Sequence, residues 1–391
     1  MLKQLMQAAI SLNGGVRSTR YLSPVQQGYH FHWSQLWSLF GKTHTHWEDA
    51  ARDFRGMMAY QQPGGLVPNF VVSKGSGLSA DLLAPPLPAI LLYHLYEFAP
   101  DKRQALALVQ ALYPSVLAFH QHIYTYRDPL EEGLPFIWHP AESGFLAHEL
   151  LDGSTDAASW NSLLEAGGQL DVASGEMFRH HQFLVQDPMF LSLLTWANEC
   201  LIKLGGLIRK DIEEVLYWHE LTTYSINQKL WQAETKQYIA YNLSAEQRIE
   251  LDSIRAFMPL VGEIPTQEQA ELLLRRMEST DMGGQLQDNY LFPSRGMGIR
   301  GSDVLLEGKS LVQLDFNWMI IKGLLRYDFD EMAAKMERDS LDLVWHTGFW
   351  DGYDPLRYES GPRGWGYQYS PKTASLLIDL LIRKKGWAIF Q

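Results

Sequence analysis

Helical periodicity runs through almost the whole chain with hardly any strand-like alternation, and this regularity constrains the fold more than any other feature of the sequence. It is clearest between Lys309 and Pro355. There Phe316, Met319, Ile320, Gly323, Leu324 and Tyr327 recur at helical spacing, and Met332, Met336, Leu341, Val344 and Trp345 do so again. Two helices joined by a short turn make a helical hairpin. This one ends in an aromatic loop that carries a carboxylate, Gly348-Phe349-Trp350-Asp351-Gly352-Tyr353-Asp354-Pro355.

Similar helical runs fill the rest of the chain, and proline and glycine punctuate them. Leu2 to Leu12 reads as a helix stopped by Asn13-Gly14-Gly15, where glycine supplies the C-cap conformation. Thr45 to Tyr60 is ended by Pro63-Gly64-Gly65. The run that starts after Ala84-Pro85-Pro86 begins on prolines, tolerated in a first turn whose N–H groups lack partners. From Asp101 to Asp128 the apolar period contains Pro114, expected to separate two helices. Asp187-Pro188 and Pro265-Thr266 read as further helix starts. No Pro/Ser linker or charge block divides residues 1–391, so one domain is expected.

Composition narrows the function. A chain of 391 residues, 46% hydrophobic and 20% charged, buries a large core, which excludes disordered and fibrous classes. A net charge of −12 without Lys/Arg clusters excludes nucleic acid as a partner and suits a neutral or cationic one. Thirteen Trp, 18 Tyr and 17 Phe offer platforms for sugar rings as well as core filling. Cys200 is the single cysteine, which excludes an internal disulfide framework, and its apolar setting suggests a buried thiol. No cleavable leader or membrane span is evident, so a cytoplasmic monomer or homodimer is expected.

The segment Asn317-Trp318-Met319-Ile320-Ile321, the loop Gly348–Pro355 and the run Ser370-Pro371-Lys372-Thr373-Ala374-Ser375 together resemble the C-terminal part of glycoside hydrolases of family 63. Ile137-Trp138-His139-Pro140-Ala141-Glu142-Ser143-Gly144 is similar to that family's His-Pro-Trp-Glu-Ser-Gly motif. The resemblance spans nearly the whole chain. It implies an all-α fold, the (α/α)6 barrel or six-hairpin toroid, and inverting hydrolysis of a small glycoside or α-linked oligosaccharide with no cofactor and no metal.

Inversion needs two carboxyl groups, one to protonate the leaving oxygen and one to activate water. The family's base is a Glu, and the matching residue here is Asp351, with Glu359 the alternative. The family's acid falls in register on Leu146; Asp156 is the nearest replacement if residues are inserted after Gly144, ahead of Glu149 and Asp152. Trp37, Trp138, His139, Glu142, Trp318 and Trp350 are the residues expected to shape the pocket. The sequence departs from the family at Ser38, Ala84 and Gln313, where the family has Asp, Gln and Trp.

Those departures keep a second reading open: a carbohydrate-binding protein without catalysis, or a barrel using His for isomerase or lyase chemistry. The pairs His30/His32, His44/His46, His120/His122 and His180/His181 prompt that reading. Residues two apart do not share a helix face, however, which makes such pairs poor metal clips. No dinucleotide-binding, phosphate-loop, HExxH or GxSxG signature is present.

Overall fold

The computed structural model describes residues 2–14, 29–72, 82–143, 181, 183–251, 253–279, 311–355 and 361–385. Its helices are α1 (Leu2–Gly14), α2 (His32–Thr45), α3 (Trp47–Met58), α4 (Pro88–Glu97), α5 (Lys102–Arg127), α6 (Pro188–Leu207), α7 (Glu213–Ser225), α8 (Gln267–Met277), α9 (Leu314–Arg326), α10 (Asp330–Thr347) and α11 (Pro371–Lys385). A 3-10 helix spans Ile254–Gly262. The expected starts are built as capping predicts: Asp187 accepts the N–H groups of Met189 and Phe190, and Thr266 and Gln269 form a reciprocal capping box.

Pro114 does not divide its helix. Helix α5 runs unbroken from Lys102 to Arg127 because one buried face, from Ala105 and Leu108 through Tyr113 and Val116 to Phe119 and Ile123, continues across it. A proline inside a helix costs about 3 kcal/mol. Each large side chain buried there contributes roughly 1.5–3 kcal/mol, so packing outweighs the break.

Among the described residues the inner elements close a ring. Helix α2 packs on α4, α4 on α6, α6 on the 3-10 helix, that helix on α9, α9 on α11, and α11 back on α2. Outside it α1 covers α11 and α2, α3 lies on α2, α5 on α4, α7 on α6 and α10 on α9, while α8 follows the 3-10 helix. This is the (α/α)6 barrel. The strands are antiparallel pairs of two or three residues in the connections, too short to show any period in the sequence. No helix among the described residues is long and apolar enough to cross a membrane.

The seam between α2 and α11 shows how closely the ring is drawn. A Cβ on Gly41 would lie 2.4 Å from the carbonyl oxygen of Ser375, so only glycine fits. The Ser375 hydroxyl accepts the Gly41 N–H at 2.6 Å and donates to the carbonyl of Trp37 at 2.7 Å.

Side chains fix the direction of the inner helices. Trp33, Asp315 and Lys372, from the first turns of α2, α9 and α11, meet at one end: the indole N–H and the ammonium both reach Asp315 Oδ2, at 3.0 and 2.7 Å. His44, His94, Lys322 and Asp379, further along α2, α4, α9 and α11, meet at the other. The helix starts therefore gather at one rim and the helix ends at the opposite one. Between them stands a column of indoles, Trp33 on Trp37 and Trp37 on Trp318, edge to face with centroids 5.3 Å apart at both steps.

Candidate active site

The rim where the inner helices start carries both loops that the sequence singles out. The loop after α10 is pinned at nearly every backbone group. Phe349 O accepts the N–H groups of Tyr369 and Ser370, Trp350 O accepts the hydroxyl of Thr373 on α11, and the Asp351 N–H donates to Tyr367 O. Gly352 pairs with Trp365 and Tyr353 with Gly364 in a short antiparallel ladder. Gly364 lies under the indole of Trp350, where a Cβ would come within 2.1 Å of the ring.

Asp351 is partly exposed, and its Oδ2 accepts the Tyr367 N–H at 3.1 Å. Among the described residues none donates to Oδ1. Among the described residues the carboxylate is therefore aimed through one oxygen, with no donor on the other.

The second loop, Trp138 to Ser143, is more deeply set. Glu142 is 0% exposed, and both its oxygens are used. Oε1 accepts the Leu83 N–H at 2.8 Å and Arg127 Nη2 at 2.8 Å; Oε2 accepts the Trp138 N–H at 2.9 Å and Arg127 Nη1 at 3.1 Å. A second buried pair stands nearby, Arg255 on Asp187 at 2.6 Å, with the other arm of Arg255 on the Ser143 hydroxyl at 3.2 Å. Asn69 holds the Ala141 carbonyl at 2.6 Å, and His139 Nδ1 accepts the Ala141 N–H.

Several of the residues expected at the pocket are buried in the structure. Glu142 holds the backbone of its own motif, and Trp138 and His139 are buried with it. Trp37 lies one turn below the rim, 0% exposed among Trp33, Phe40 and Trp318, and Trp318 gives its indole N–H to Asp379 at 2.8 Å. Of the residues expected at the pocket, Asp351 and Trp350 keep exposed surface. Asp156 and Glu359, with Leu146, Glu149 and Asp152, lie outside the described residues.

The histidine pairs separate. His120 bonds Asn198, His122 bonds the Gly64 carbonyl, and the side chains of His30 and His32 lie outside the described residues. His44 instead joins His94 and Asp379 at the far end, with possible ligand atoms within 4.8 Å of one another. That cluster does not suit a cation. His94 Nε2 faces the Phe40 carbonyl and Nδ1 faces Arg383, while Lys322 and Arg383 both approach Asp379. Burial alone would raise the Asp379 carboxyl, but Lys322, His44 and Arg383 hold it well below the usual carboxylate range. Burial lowers Lys322 to about 8 even so. One signal for this cluster was present in the sequence: a lone Asp in Leu376-Leu377-Ile378-Asp379-Leu380-Leu381 must be paired if that run is buried. Nothing local identified Arg127, Asp315, Lys372 or Tyr353.

Comparison with known proteins bears on the fold and the family. A mannosylglycerate hydrolase of Thermus thermophilus is 26% identical over 88% of this chain and 93% of its own length. Mannosylglycerate hydrolase MGH2 of Selaginella moellendorffii is 27% identical over 84% of this chain and 76% of its own. The crystal structure of the family 63 mannosylglycerate hydrolase from Thermus thermophilus with Tris and D-glycerate superposes with a TM-score of 0.84 at 25% identity, covering 96% of this chain and 100% of that one. The model of the mannosylglycerate hydrolase MGH1-like glycoside hydrolase domain matches residues 28–295. The chain belongs to that family of glycoside hydrolases.

Proposed function

We propose that the protein hydrolyses a small glycoside of glyceric acid, with inversion, and that mannosylglycerate is the first substrate to try. The observation that carries this reading is Asp351: its loop is pinned, one carboxylate oxygen is held by the Tyr367 N–H, and no described residue occupies the other. Relatives of matching length carry the name mannosylglycerate hydrolase, and one was crystallised with D-glycerate. In the reaction Asp351 takes a proton from water as that water attacks the anomeric carbon. The acid, for which Asp156 is the candidate, protonates the glycosidic oxygen as the carbon–oxygen bond breaks. The products are the free sugar with inverted anomeric configuration and glycerate. Inversion requires the two carboxyl groups to stand roughly 6.5–9.5 Å apart, leaving room for the water.

Proton NMR of the fresh products of mannosylglycerate and glucosylglycerate cleavage tests the proposal. Release of the inverted anomer supports it, and either a retained anomer or no turnover of any glycerate glycoside sinks it. One observation favours a second reading. Aspartate is one methylene shorter than the family's glutamate, which moves the carboxylate by about 1 Å, enough to slow chemistry severely. A binding protein without turnover would then take up these glycosides in calorimetry and leave them intact.

A further inference from the structure

Tyr353 is buried directly behind the loop that carries Asp351. Its hydroxyl donates to the Gly348 carbonyl at 2.8 Å and accepts the Trp350 N–H at 3.2 Å. It spans the turn from its first residue to the one before the carboxylate. Gly348 has a φ of 91°, a conformation that leaves its carbonyl outside the helical ladder of α10 and in need of another donor. The backbone of Tyr353 is tied independently, through both hydrogen bonds to Val312 at 2.8 and 2.9 Å, an isolated bridge in the segment that leads to α9. Burial pushes the phenol above its ordinary range, so it stays a neutral donor at physiological pH. Thr373 completes the support from α11, its hydroxyl 2.6 Å from Trp350 O.

We propose that Tyr353 is a positioning residue for the reaction, a fixed post at the base of the loop that sets where the Asp351 carboxylate meets water. The proposal rests on the hydrolase reading above. It also addresses the shorter side chain at the base position, because a loop held from behind can place a short carboxylate where a slack one cannot.

Tyr353→Phe removes one oxygen and keeps the ring, the packing and both backbone bonds to Val312. On a glycerate glycoside that the parent cleaves, kcat is expected to fall roughly 10- to 100-fold with KM within about threefold, the pattern of an interaction that matters in the transition state. The deciding measurement is the same substitution in an Asp351→Asn background, by single-turnover kinetics at high enzyme concentration. If Tyr353 acts through Asp351, the double variant is no slower than Asp351→Asn alone. Thr373→Val, which removes the other side-chain bond to the loop, should show the same split and reports even where Tyr353→Phe folds poorly. An unchanged kcat in Tyr353→Phe, or a full repeat of its loss in the Asp351→Asn background, overturns the positioning role and leaves the hydrolase reading standing. A parent inactive on every glycerate glycoside overturns both.

Discussion

The two ends of the inner ring each hold a carboxylate on a framework of packed helices, and they surround it in opposite ways. Asp379 at the far end is 0% exposed, with His44 and Arg383 on Oδ1 and Trp318, Arg383 and Lys322 on Oδ2. Asp351 at the rim keeps one N–H on one oxygen and part of its surface in solvent. A carboxylate saturated by donors stabilises a fold and has no lone pair left for chemistry. One that is aimed but underused can take a proton. On the proposed reading, burial and partner count, more than residue type, separate the structural acid from the reactive one.

Exchanging charge for shape at each end separates the two roles. Asp351→Asn is expected to lower turnover of the glycerate glycoside by about 10²–10⁴-fold while leaving denaturant unfolding and ligand affinity nearly unchanged. Asp379→Asn should do the reverse. Removing the charge leaves Lys322 and Arg383 without their shared counter-ion, a loss of about 3–5 kcal/mol of stability that urea unfolding will measure. A stable Asp379→Asn variant with impaired turnover would break the contrast.

The pH dependence sharpens it further at a third, smaller site. Burial brings His120 from 6.5 down to about 4, partly opposed by its bond to Asn198. The unfolded chain therefore binds a proton near 6.5 that the fold refuses until about 4. Stability should fall as pH drops through that window and level off below it, by at most roughly 3 kcal/mol from this residue. His94, also lowered by burial, acts in the same direction. His120→Gln should flatten the slope between those pH values in denaturant unfolding, and an unaltered slope would assign the effect elsewhere. Asp379, whose folded carboxyl is held well below the usual carboxylate range, adds its own loss of stability in the same direction, mainly at and below the acid end of that window, where the unfolded carboxyl takes up its proton.

The architecture was legible because helical period and its punctuation are local properties. The Gly348–Pro355 loop was legible for the same reason, being a compact motif. Pro114 misled because the buried face that carries α5 past it becomes visible only once α5 meets its neighbours. The burial of Trp37 and Trp318 was not legible, since an indole reads alike in a wall and in a core, and depth along a helix is set by its partners. The ion pairs were hidden by distance along the chain. His44 and Asp379 lie 335 positions apart, and Trp33 and Asp315 lie 282 apart. Closure of the ring brings them together, and no spacing rule within the chain reports it.

The indole column has an optical consequence. Trp33, Trp37 and Trp318 are in edge contact, with interplanar angles of 83° and 72°, and Trp196 continues the series 5.8 Å from Trp318. Chromophores this close exchange excitation, so light absorbed anywhere in the column is emitted mainly from its lowest-energy indole. Trp33 ends the series at the rim, bonded to Asp315 beside Lys372. A ligand that disturbed that hydrogen bond would alter the column's emission, so titrating the unlabelled protein with a glycerate glycoside while following its tryptophan fluorescence checks whether occupancy reaches this end of the column.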